Sequence, residues 1–141
     1  MILVDTGFLY ALLDRDDVWH ARAVAANKNL AEGWITTWPV LTEAVHLITK
    51  WLGTDPAHAL MSDVADGEIT VWDIPRKQMA HLVGQMQAYR NLPMDLADGS
   101  LLLLAEQLDH GRILTTDQRD FNAYRWKNHR PFENLLLQQN A

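Results

Sequence analysis

The chain has 141 residues, 48% of them hydrophobic, a formal net charge of -6 and no cysteine. That length suits one domain with a genuine core, expected to span 1–141, and the missing thiols exclude a disulfide scaffold or a thiolate zinc site. The acidic balance argues against tight, nonspecific nucleic-acid binding, and no apolar run approaches the ~20 residues of a membrane span. Taken in order, Met1-Ile2-Leu3-Val4 is too short for a signal peptide and lacks a basic leader, so the cytoplasm and no membrane association are expected. Ile2-Leu3-Val4 has the uniform apolarity of a strand buried on both faces of a parallel sheet. Residues 7–13 read as helix, 14–17 as a turn, and 19–30, rich in alanine, as a helix ending near Gly33. Trp34-Ile35-Thr36-Thr37 has strand composition, and Pro39 suits the first turn of a helix in which Leu41, Ala44, Val45, Ile48 and Leu52 keep helical spacing up to Gly53.

Residues 56–65 suggest another helix, 69–72 a strand, and Pro75 opens a helix to about residue 90. Asp95 can cap the clearest helix, whose buried stripe is Ala97, Leu101, Leu104, Ala105 and Leu108 and which Gly111 stops. Ile113-Leu114-Thr115 is the next strand; residues 124–126 read as an edge strand and the stretch from Pro131 as surface packing. This alternation implies an α/β fold, a three-layer α/β/α sandwich with a mostly parallel central sheet. Arg112, Arg119, Arg125, Lys127 and Arg130 form one phosphate-facing rim or, on the slightly favoured reading, scattered solvated charge. Trp19, Trp34, Trp38 and Trp51 suit an apolar dimer patch and core packing equally well.

Ligand sites in open α/β sheets lie outside the carboxyl ends of the strands. Asp5 directly follows the first strand, and Asp117 follows the strand at 113–115 after Thr116. Glu43 lies early in the helix after the 34–37 strand, between Val40 and Leu47, a setting expected to be partly buried or to line a pocket. Asp98 lies beside the buried stripe of its own helix. Each acid alone has an ordinary explanation: helix caps for Asp5 and Asp117, a dipole partner for Asp98, a wet rim position for Glu43. Together at one sheet edge they predict a catalytic acid cluster whose mutual repulsion calls for a cation. All-oxygen donors favour a hard ion, Mg²⁺ or Mn²⁺, and such a site suits phosphodiester hydrolysis. Thr6, Thr116 and Asp95 are supporting candidates, Asp95 already having a sufficient role as a cap. Asp5-Thr6-Gly7 also matches the aspartic-protease triplet, but helix-rich alternation argues against that all-β fold.

Four segments then carry a resemblance. Val4-Asp5-Thr6-Gly7-Phe8-Leu9, Thr42-Glu43, the stretch from Pro93 to Leu101 around Asp98, and the stretch from Ile113 to Phe121 around Asp117 resemble, in order and spacing, the motifs of the PIN-domain family and its VapC-type toxins. The resemblance implies a Mg²⁺-dependent endoribonuclease acting on RNA, usually a homodimer and inhibited by a cognate antitoxin. It also implies that Asp5 and Asp98 are most directly tied to the metal, while Glu43 and Asp117 complete the acidic pocket. Gly99 replaces the alanine usual after the third acid, and a helical glycine, costing up to ~1 kcal/mol, predicts a looser turn there. The rival expectation is a PIN-like protein- or RNA-binding module without nuclease activity.

Overall fold

The computed structural model describes residues 1–139. Strands β1 (Ile2–Val4), β2 (Trp34–Thr37) and β3 (Ile69–Trp72) are separated by helices α1 (Thr6–Leu13), α2 (His20–Asn29), α3 (Trp38–Leu52) and α4 (Thr54–Ala65). The second half adds α5 (Met79–Ala88), α6 (Leu96–Leu108), β4 (Arg112–Leu114), α7 (Gln118–Ala123), β5 (Arg125–Trp126), β6 (Arg130–Pro131) and β7 (Glu133–Asn134). The main sheet runs β3-β2-β1-β4-β7 with every neighbouring pair parallel. Successive side chains on a strand point to opposite faces, yet Ile2, Leu3 and Val4 are all fully buried. Both faces of β1 are therefore covered, and the architecture is the three-layer α/β/α sandwich that the alternation predicts. Among the described residues no helix is long and apolar enough to cross a membrane.

Helix α6 departs from the expected single stripe. Leu101, Leu102, Leu103 and Leu104 are each 2% exposed or less, because α6 packs against α3, α5, β1, β2 and β5. A helical stretch apolar all round, as residues 101–105 are, belongs inside. Nor does Gly111 stop it: α6 ends at Asp109, which turns left-handed at φ 60°. Gly111 instead lets the indole of Trp126 close on the backbone, since an added Cβ would lie 2.4 Å from Trp126 Nε1. The expected loose turn at Gly99 is also absent; α6 runs through it unbroken. Leu82 of α5 packs where a methyl would project, 2.5 Å from an added Cβ.

The tail differs as well. Residues 125–126 pair with β6 in a separate antiparallel hairpin rather than at the sheet edge. β7 joins the main sheet beside β4, and Leu135 and Leu136 after it are buried rather than surface-packed. The consequence for the site is topological. From the central β1 the chain lays β2 and β3 on one side and β4 and β7 on the other. A crevice opens between the carboxyl ends of β1 and β4, where the order reverses.

Candidate active site

At that crevice a cavity of about 370 Å³ is lined by Asp5, Glu43, Asp95, Asp98, Asp117 and Asp120. The acids predicted to converge do so, although the chain brings them from four separate segments. Asp5 leaves β1 and caps α1: one carboxylate oxygen accepts from the Phe8 amide at 2.8 Å, and the other accepts from the Thr115 hydroxyl. Asp117 leaves β4 and caps α7, accepting from the Asp120 amide at 3.1 Å. The helix-cap explanation and the site explanation thus hold together, because a carboxylate oxygen has lone pairs to spare.

Gly7 brings the two turns into contact. A Cβ there would meet Thr116 Oγ1 at 2.0 Å, so only glycine lets the β4–α7 turn close on the start of α1. Thr116 serves through this contact. The hydroxyl on Asp5 belongs to Thr115, which the sequence reading passed over; the Asp117 amide also donates to it at 2.9 Å. Thr6 also lines the cavity, with its hydroxyl donating to the Val40 carbonyl at 3.4 Å rather than to an acid.

Asp98 stands in the first turn of α6, half-buried, with its amide donating to the cap residue Asp95 at 2.8 Å. The fully buried Tyr124 sets its hydroxyl 3.3 Å from both Asp98 Oδ2 and the Pro93 carbonyl, sharing one proton between them. Glu43 lines the cavity, as its setting predicts, and does so as an exposed residue rather than a partly buried one. Its helix is aligned with that of Asp98 through Thr37, the N-cap of α3, whose hydroxyl lies 2.6 Å from Ser100 of α6. Ser100 gives its own proton to the Ala97 carbonyl at 2.6 Å, so Thr37 is the donor between them. Asp120 was not foreseen. Its signal was present: an acid three residues after a capping Asp shares the first helical turn.

Burial governs the electrostatics. It raises the Asp5 carboxyl from 3.8 to about 7, with Thr115 and the Phe8 amide opposing and the charges of Asp117 and Glu43 adding. Burial likewise raises Asp98 from 3.8 to about 7, followed by the charge of Asp95, while the Tyr124 hydroxyl opposes. Asp120 is raised too, by burial and then by its hydrogen bond with Asp117. An enclosed anion cluster of this kind is stabilised by a cation. Among the described residues no three acids or histidines are already closed around one point. The donor chemistry nevertheless fits a hard ion such as Mg²⁺, which keeps several waters and takes only one or two carboxylates from the protein.

The basic residues of the second half are dispersed, as the slightly favoured reading of scattered charge has it, and do not make one rim. Arg112 opens β4, at the opposite end from Asp117, and pairs with Glu32. Lys127 pairs with Asp109 at 2.6 Å, Lys127 and Arg130 lie over the Trp126 ring, and Arg125 donates to the Asn122 and Tyr124 carbonyls at 2.9 Å.

Comparison with known proteins places the fold. The PIN domain family model matches residues 2–127. In sequence the chain is similar to Ribonuclease VapC26 of Mycobacterium tuberculosis, 26% identical over 130 residues that cover 88% of this chain and 92% of the relative. In fold it is similar to the crystal structure of Mycobacterium tuberculosis VapC20, a sarcin-ricin loop cleaving toxin. The TM-score is 0.78 at 17% identity, covering 84% of this chain and 92% of the other.

Proposed function

Since this chain belongs to the PIN domain family, we propose that it is a metal-dependent endoribonuclease that hydrolyses RNA phosphodiester bonds at the acidic cavity. The observation that carries this reading is the set of six carboxylates lining one crevice at the sheet's switch point, three of them destabilised as anions chiefly by burial. The name of the curated ribonuclease relative supports it. A binding module without catalysis has no use for so many carboxylates in one enclosure, since each adds repulsion and desolvation.

In this reading Asp5 and Asp98 hold Mg²⁺, or Mn²⁺, directly. Such an ion supplies Lewis-acid stabilisation of charge on the phosphoryl oxygens and promotes ionisation of water. The protein's own part is positioning. Thr115 and the Phe8 amide orient Asp5; Tyr124 orients Asp98. Asp117, anchored by its cap to the Asp120 amide, completes the wall. Glu43, with its head in water at the rim, accepts the proton of the attacking water at a carboxylate oxygen. The cavity opens to solvent, so RNA approaches from outside the sheet edge.

The test is Mg²⁺-dependent cleavage of an RNA panel by purified protein. Asp98→Asn should lower the rate by on the order of 10²–10⁴ while circular dichroism stays native. A native protein that leaves every RNA intact with both Mg²⁺ and Mn²⁺ would end the reading. We extend the proposal to a toxin acting in the cytoplasm as a homodimer restrained by a cognate antitoxin. Trp38, Trp51 and Met61, each more than 40% exposed, leave apolar surface on α3 and α4 for such partners. Light scattering on the purified chain reads the oligomeric state directly.

A further inference from the structure

A second cavity, of about 600 Å³, shares helix α7 with the acidic one as a common wall. Asp117 and Asp120 line the acidic side, while Gln118, Phe121 and Asn122 line the other, Phe121 and Asn122 standing three and four residues after Gln118, the offsets that place residues on one helix face. We infer that this second cavity is a nucleotide subsite, holding the base and phosphate of a single-stranded RNA residue that flanks the scissile bond. The inference rests on the nuclease reading for the position of that bond, and on four features of its own.

The volume falls within the ~300–1,000 Å³ of ordinary ligand pockets. The floor is aromatic: Phe121 and Phe132 meet edge to face at 5.2 Å, and half-buried Phe132 also lines the space. Unpaired bases of RNA are recognised by stacking on such rings. The exposed amide heads of Gln118 and Asn122 offer both donors and acceptors to a base edge. The fourth feature is charge. Arg119 at the cavity mouth belongs to none of the ion pairs among the described residues, whereas Arg112 and Lys127 are each held by a carboxylate. An RNA strand leaving a cup of carboxylates needs a cation at its next phosphate, and Arg119 sits two residues beyond Asp117 and beside Asp120.

The experiment measures binding of a fluorescent single-stranded oligoribonucleotide to Asp98→Asn protein, in which cleavage does not intervene. Adding Arg119→Ala should weaken binding roughly 5- to 10-fold and reduce the slope of log affinity against log salt by about 0.7, the share of one single-strand phosphate contact. Arg119→Lys should keep the slope. Phe132→Leu, which preserves apolar bulk but removes the stacking face, should weaken binding roughly 5-fold or more at unchanged slope. If native protein cleaves RNA while Arg119→Ala and Phe132→Leu bind as their parent does, the subsite is refuted and the nuclease reading stands. If native protein cleaves nothing while Arg119 and Phe132 still govern affinity, the nuclease reading fails and with it the placing beside a scissile bond, leaving a single-stranded RNA-binding cavity.

Discussion

At Asp5 a helix cap and a proposed metal ligand are the same carboxylate, and the residue that reconciles the two is Thr115. Its hydroxyl donates to Asp5, and it accepts from the Asp117 amide, so one side chain sets the spacing of two acids. Partners of this kind are worth about 10–100-fold in metal affinity or activity. Thr115→Val is therefore expected to raise the Mg²⁺ concentration for half-maximal cleavage by about that factor, with native circular dichroism. Thr6→Val should leave the Mg²⁺ requirement nearly unchanged, because its hydroxyl serves the Val40 carbonyl instead. In sequence it is Thr6 and Thr116 that stand beside the acids, and Thr115 lies one residue further off. Thr6 follows a strand into a helix, while Thr115 follows β4 across the sheet from Asp5, 110 residues away. Only pairing of β1 with β4 makes that distance short. Tyr124 and Asp98 are a second case, separated by 26 positions and joined by a hydroxyl.

The elements meet at the site through two turns that nearly touch, and Gly7 is the point of contact. Gly7→Ala would drive a methyl into Thr116 Oγ1. Overpacking of this sort costs about 1–3 kcal/mol, and because the displaced turn carries Asp117, cleavage should fall with stability. Adding Thr116→Ala removes the hydroxyl at 2.0 Å and leaves a Cβ at 3.3 Å, a tight contact rather than a clash. The double variant should therefore regain most of the lost stability, a coupling that urea denaturation of the four-member cycle measures directly. The order of elements to β4 was legible from periodicity and caps. The end of α6 was not: glycine at 111 looked like a terminator, but an aspartate in the left-handed region did that work. The glycine was needed for Trp126, a tertiary contact that local pattern does not encode.

At the scale of the whole molecule, the acidic cavity makes stability depend on pH and on metal together. Asp5 and Asp98 rise from 3.8 to about 7, chiefly through burial. The folded protein therefore holds protons between those values that the unfolded chain releases. This contribution to stability is fully present below the ordinary carboxylate value and is lost as pH rises through about 7. The metal-free protein should show a thermal midpoint that declines across this window, and the decline should be shallower in Asp5→Asn. Mg²⁺ should raise the midpoint at about pH 8 and have little effect at about pH 5, where protons occupy the carboxylates it needs. A midpoint insensitive to Mg²⁺ at both values would argue against binding at these acids.

The sequence by itself determined the layered α/β architecture, the helix caps and the meeting of four acids, because each rests on local periodicity or on the rule that strand ends face one crevice. The tertiary structure alone decided which hydroxyls serve those acids and that Arg119 rather than the whole basic tail adjoins the site. Such contacts join residues tens of positions apart, and their chemistry depends on burial and direction, which a one-dimensional pattern does not carry.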